Sequence, residues 1–258
     1  MPHRRLLPVL SRGFLLITLL AAVSARPGFA LSKNFSETVP LQPGGTFELQ
    51  NVNGTVEVQG WDRDEVEIRA VKIAKEKESD LDRVSIEVSA QPAAVSVTTH
   101  YPQNEGVEVA VEYTVHVPRT ARVERLATVN GTLRVSSLEN AGDLRTVNGN
   151  IEVYESSGAV AAHVTNGNVH LELTHLRAPD ATVAETTNGS VLLALPFSTQ
   201  ADLEARCLNG TFSSELPVSV ESTLRPREVR GKLGKGGAPI RLRTVNGGIQ
   251  IAILRSTV

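Results

Sequence analysis

From about residue 124 onward, apolar and polar positions fall into one recurring phrase. Its centre is Asn-Gly, found at Asn53-Gly54, Asn130-Gly131, Asn148-Gly149, Asn166-Gly167, Asn188-Gly189, Asn209-Gly210 and Asn246-Gly247. Three places after each Asn stands an apolar residue: Val56, Leu133, Ile151, Val169, Val191, Phe212 and Ile249. Five places after stand Val58, Val135, Val153, Leu171, Leu193 and Ile251, with Ser214 as the exception. Four places before stand Leu49, Leu126, Leu144, Ala162, Ala184, Ala205 and Leu242. The positions between are polar or mixed: Arg134, Glu152 and His170 on one side, Arg145, His163, Glu185 and Arg206 on the other. One apolar face alternating with a polar one is the period of a β-strand. Gly takes positive φ without cost and Asn tolerates it, so the pair between two such runs predicts a corner.

A corner of this kind fits either a hairpin tip or one turn of a solenoid whose coils stack. The intervals favour the solenoid. From Asn130 the steps are 18, 18, 22 and 21 residues, the spacing of short repeat coils. The predicted fold class is therefore all-β: a single-stranded β-helix-like solenoid in which successive coils stack. Asn should lie on Asn, with the side-chain amides bonded along the stack as an inward ladder. Thr128, Thr146, Thr186 and Thr244, two before the Asn, predict a second column, and Cys207 stands in it as a small buried substitute for Thr. The step of 37 before Asn246 holds an extra stretch, expected to be a coil lacking Asn plus a loop or hairpin. Its segment "GKLGKGG" reads as the turn of the final hairpin.

Residues 31–123 are β-rich but irregular. "GVEVAVEYTVHVP" alternates strictly, with Val107, Val109, Val111, Tyr113, Val115 and Val117 on one face. "KEKESDLDR" is charged and predicts a solvated loop or a single helical turn. No linker separates this part from the Asn-Gly coils of 124–258, so 31–258 reads as one domain. Residues 1–30 have the layout of a secretory signal: a basic start, an apolar run from Phe14 to Val23, then small residues. The alternative is an uncleaved anchor, for which the apolar run is short. The expected location is outside the cytoplasm, in the periplasm, at the cell surface or beyond it, with membrane contact only through an uncleaved signal.

Composition narrows this picture in two ways. The formal net charge of −2 argues against a nucleic-acid binder working through bulk positive charge. A single Cys excludes an intramolecular disulfide, so burial and backbone pairing must hold the domain together.

Several stretches together carry a resemblance. "TFELQNVNGTVEVQGWDRDEVEI" is followed by a strand ending in "VHVP", then by repeats of the form "TVNGxIxV", and the chain closes on "GKLGKGGAPIRLRTVNGGIQI". Over nearly all of the mature chain this resembles the bacterial putative-adhesin family, a domain of unknown function. The resemblance implies a β-helix-like solenoid on the outer side of a cell membrane and implies no established activity.

Candidate chemistry is sparse. A lyase of the β-helix kind needs clustered acids for a metal and a base nearby. Glu57, Glu152, Glu172 and Glu185 are scattered singly. Arg134 and Glu152 share a column on adjacent coils and can pair. His163, His170 and His175 are the one local cluster, without the further converging ligands a metal needs. The Asn-Gly-Thr/Ser triplets at Asn53, Asn130, Asn188 and Asn209 follow from turn chemistry. The expectation is a non-enzymatic, exported cell-envelope module with no cofactor, no metal and no catalytic residue, binding a surface polymer or protein. The alternative is a carbohydrate-active β-helix enzyme of the lyase or hydrolase type.

Overall fold

The computed structural model describes residues 31–102, 106–225 and 227–255. The signal-like segment 1–30 lies outside the described residues. Nearly everything described is β-structure, arranged as one sheet of 11 strands and one of 10; the one short helix is Asp80–Arg83.

Each coil is two strands and a corner. In the Asn148 coil, Gly142–Asn148 runs in one sheet, Asn-Gly turns, and Ile151–Ser157 runs in the other. The neighbouring coils repeat this: Arg122–Asn130 with Leu133–Ser136, Val160–Asn166 with Val169–His175, and Thr182–Asn188 with Val191–Leu195. Pairing between coils is parallel and in register, so that Asn130, Asn148, Asn166 and Asn188 lie one above another. The apolar columns read from the sequence face each other between the sheets. Leu49, Leu126, Leu144, Ala162 and Ala184 are fully buried from one side, as are Val58, Val135, Val153, Leu171 and Leu193 from the other. Each large buried aliphatic side chain contributes roughly 1.5–3 kcal/mol, and with one Cys the fold has no intramolecular disulfide.

The stack departs from chain order at both ends. The Asn246 coil (Ala238–Asn246, Ile249–Ile253) does not follow the Asn209 coil (Ala201–Asn209, Phe212–Ser214) outward. It lies between the Asn188 and Asn209 coils. At the other end, the Asn53 coil (Thr46–Gln50, Val56–Trp61) sits between the Asn130 coil and a coil without Asn-Gly, Ala94–His100 with Val109–Pro118. The expectation that successive coils stack is therefore corrected for the outermost pair at each end. Residues 31–123 thus supply two coils of the same stack.

Beyond these coils the pairing turns antiparallel. Leu31–Pro40, Glu65–Ala74 and Ser85–Gln91 cover one end. At the other end Val218–Arg225 and Glu228–Leu233 extend the 11-stranded sheet, while the 10-stranded sheet ends on the parallel strand Phe212–Ser214. The extra stretch before Asn246 is this hairpin, with no further coil in it. "GKLGKGG" is not its turn. Gly231–Leu233 belong to its second strand, and Gly234–Gly237 carry the chain past the Asn209 strand to Ala238, on that strand's far side.

Candidate functional site

The corner of each coil is bonded in both directions along the stack. The Gly131 N–H donates to the Asn148 carbonyl at 2.9 Å, and the Asn148 amide donates back to Asn130 Oδ1 at 2.8 Å. The amide chain continues through all seven Asn in spatial order: 53, 130, 148, 166, 188, 246, 209, at 2.8–2.9 Å. The ladder does not face inward: these Asn side chains lie at the solvent surface. What faces inward is the preceding column. Thr146, Thr186 and Thr244 are buried and donate their hydroxyls to Gly131, Gly167 and Gly189 carbonyls at 2.8–2.9 Å. Cys207 is 6% exposed, and its Sγ points to the Gly247 carbonyl at 3.0 Å. Burial pushes its thiol pKa up, with Arg227 nearby pulling it down.

Glycine follows Asn because the coils approach closely there. A Cβ on Gly149 would lie 2.0 Å from the Gly131 carbonyl oxygen, and the same clash recurs at Gly131, Gly167, Gly189 and Gly247, with Gly210 tighter still and Gly54 nearly as tight. A third column escaped the sequence reading. Asn150 and Asn168 accept the Asn168 and Ser190 backbone N–H at 2.9 Å. The repeated "NGN" at residues 148 and 166 was its only signal.

The residues before the corner make a trench. With the −2 residue turned inward, the residues at −3 and −1 both stand out from the sheet as parallel rows. Strand geometry sets the rows about 7 Å apart. One row is Arg145, His163, Glu185, Arg243 and Arg206; the other is Val147, Thr165, Thr187, Val245 and Leu208. Two adjoining hollows, of about 460 and 630 Å³, share Arg243 and Val245. The trench runs along the stack axis from Thr128 to Leu208; with coils about 4.8 Å apart it is about 24 Å long. Val147 and Leu208 are 41% and 46% exposed, so its far wall is partly apolar.

Charge changes along the trench. Arg145 is held by Asp143 at 2.8 Å, and His163 lies 3.3 Å from Glu185. At the other end Arg206, Arg227 and Arg243 converge on one hollow, where Glu228 is the single carboxylate. Glu228 is drawn to Arg230 at 2.8 Å and to Arg206 at 3.5 Å. Among the described residues, Arg227 and Arg243 have no carboxylate partner.

The outer face of the other sheet is occupied by paired groups. Arg134 and Glu152 meet at 2.9 Å, which raises the Arg134 pKa further. Tyr154 sits edge-on to His170, and His170 lies 3.1 Å from Glu172. Trp61 stacks on His116 with Arg63 above it, and its Nε1–H donates to the Glu65 carbonyl. The histidine cluster is dispersed: His163 stands on the trench sheet, His170 on the opposite sheet, and His175 at the far end of the His170 strand. The acids are likewise divided, Glu185 on the trench sheet and Glu57, Glu152 and Glu172 on the other. No group of three or more His, Cys, Asp or Glu among the described residues could hold a metal ion.

These features define a two-sheet parallel β-solenoid with antiparallel strands added to both sheets at the N-terminal end and to one sheet at the C-terminal end. The chain belongs to the Toastrack DUF4097 family, whose model matches residues 37–252. Comparison with curated proteins finds no match. Among solved structures, a putative cell adhesion protein from Clostridium sporogenes is 13% identical, with 86% of this chain and 100% of that one covered, at a TM-score of 0.45. A putative lipid binding protein from Parabacteroides distasonis is 9% identical over 86% and 97% of the chains, at 0.37. A putative adhesin from Bacteroides fragilis is 12% identical over 86% and 97%, at 0.32.

Proposed function

We propose that this protein is a non-enzymatic, exported module of the cell envelope that holds an extended polymer in the trench. The observation behind this reading is the trench itself, a channel that runs along the stack axis. Its walls repeat with the coils, and its guanidinium, imidazole and hydroxyl groups face solvent. Main-chain and side-chain ladders fix the wall residues in register, so a ligand meets a surface that is already organised. Exposed donors in rows suit recognition of a chain with repeating polar groups. An isolated metabolite would use only one hollow.

The test pairs a binding screen with a block. Labelled protein is incubated with a panel of envelope polymers and whole envelopes, and the supernatants are assayed for cleavage products. Thr165→Trp and Thr187→Trp fill the middle of the trench without touching the core. The reading expects at least one polymer to bind, binding to drop in both variants, and no product to form. Binding that ignores both variants would contradict it, as would release of unsaturated sugars or reducing ends.

A further inference from the structure

We infer that the C-terminal end of the trench is a carboxylate site, and that the polymer it takes is an acidic polysaccharide; this rests on the reading of the trench as a polymer channel. Arg243 and Arg206 are direct partners on adjacent parallel strands, with their side chains on the same face. Like charges placed opposite one another on a sheet are destabilising. The neighbouring groups relieve Arg206 in part, through Glu228, and among the described residues leave Arg243 without a carboxylate. Glu185 is the strand partner of Arg243 on the other side, but its carboxylate lies against His163 at 3.3 Å. Glu228 is 8% exposed and shared between Arg206 and Arg230. Arg227, held in place where its carbonyl accepts the Cys207 N–H at 3.0 Å, adds a third guanidinium to the hollow. An anion between Arg227 and Arg243 would supply the missing counter-charge through charge-assisted, two-pronged hydrogen bonds.

The spacing and the walls select the kind of anion. Wall groups recur every coil, about 4.8 Å, close to the advance per sugar of an extended pyranose chain. An extended peptide presents same-side groups about 7 Å apart and falls out of step after one or two coils. Val245 and Leu208 offer apolar contact for sugar C–H faces beside the arginines. Thr165 and Thr187 continue the wall with hydroxyls towards Arg145. The trench therefore matches a carboxylate-bearing glycan lying along the stack axis, its acid groups on Arg243 and Arg227.

Three uronic glycans serve as probes: polygalacturonate, alginate and hyaluronate, each beside its methyl-esterified form. Polyphosphate and single-stranded DNA are the competing polyanions. At least one glycan should bind, its ester should bind at least tenfold more weakly, and binding should weaken with added salt. Arg243→Gln and Arg227→Gln should each weaken it by about tenfold. Arg63→Gln, in the bend between two strands of the opposite sheet, should leave it unchanged. Removing one of two like charges does not endanger the fold, and an unchanged thermal midpoint verifies that. Equal binding of acid and ester would overturn the inference, as would full binding by both arginine variants. Tighter binding of polyphosphate or DNA than of every glycan would overturn it too. If Thr165→Trp abolishes binding of some polymer while the arginine variants do not, the carboxylate site fails and the trench stands. If no polymer responds to Thr165→Trp, the trench reading fails with it.

Discussion

The middle of the stack and its two ends solve opposite problems. From Asn130 to Asn188, each coil repeats the one before and lies beside it in space. A parallel stack of this kind has no reason to stop, and its last strands would leave rows of unpaired N–H and C=O groups. At both ends the protein changes rule. The next-to-last coil in space is taken from elsewhere in the chain, and the outer strands run antiparallel at the N-terminal end of both sheets and at the C-terminal end of the 11-stranded sheet, while the 10-stranded sheet stops there on the short parallel strand Phe212–Ser214. Repetition builds the trench; irregularity ends the stack.

The sharpest way to break the middle is at a corner glycine. Gly149→Val places a branched side chain where even a Cβ meets the Gly131 oxygen at 2.0 Å. Coils must separate, and the expected loss is on the order of 3–5 kcal/mol in urea unfolding. Gly44, in a turn at the N-terminal end, has positive φ but nothing within 4 Å of its Cβ position. Gly44→Ala should cost only about 1–2 kcal/mol, for the backbone alone. Equal losses at the two sites would show that close approach between coils is not what demands glycine.

The inward column comes next. Thr146→Val removes the hydroxyl donating to Gly131 and should cost about 1–2 kcal/mol. Val164 already occupies the equivalent place in the next coil, so the variant should still fold to the same structure. The outward Asn ladder should matter less. Asn148→Ala breaks its bonds to Asn130 and Asn166, but water can replace them at the surface, leaving about 1 kcal/mol. Asn148 in the intact ladder should also deamidate slowly on ageing, as read by mass. Fast deamidation there would mean the corner is not held.

This ordering reflects what a sequence can display. Asn, Gly, Thr and the apolar columns recur because each must meet its own kind in the next coil, so they were visible as periodicity. The interleaving at the ends was not. Phrases around Asn209 and Asn246 are alike, and nothing local to either says which lies outermost; the long antiparallel hairpin on the Asn209 strand decides it. The coil of Ala94–His100 and Val109–Pro118 escaped notice because it lacks Asn-Gly. The direction of the ladder was misjudged because strict alternation fails at the corner, where −1 and the Asn are both exposed. The trench was half legible: Arg145, His163, Glu185 and Arg206 were seen as an outward row. Arg243 holds the same place before Asn246, but its position beside Arg206, and the approach of Arg227, come only from the fold.

Alkaline titration sharpens the contrast without any substitution. The N-terminal end buries Tyr113 against Thr99 and half-buries Tyr101 against the Val109 carbonyl, while Tyr154, half-buried on an outer face in the middle, also has its pKa raised by burial. Burial pushes the pKa of both Tyr101 and Tyr113 up to about 12, from an ordinary 10.0. A raised folded pKa means the folded state favours the neutral phenol. The stability tied to these residues is complete below pH 10 and is lost as pH rises towards 12. Phenolate absorbance of the native protein should therefore lag behind that of the unfolded chain over this window, and the N-terminal end should be the part that loosens.

The fold, the trench and the carboxylate site all depend on register, and the coil order at the C-terminal end is its most exposed consequence. In a Cys207→Ser background, Glu185→Cys with Arg243→Cys places two thiols on adjacent strands, about 4.8 Å apart at Cα and within disulfide reach. Glu185→Cys with Arg206→Cys places them two strands apart, about 10 Å and out of reach. Mild oxidation followed by peptide mass mapping should find the crosslink in the first pair and not in the second. A crosslink in the second pair and none in the first would mean that the coils stack in chain order, and would contradict the fold, the trench and the carboxylate site together.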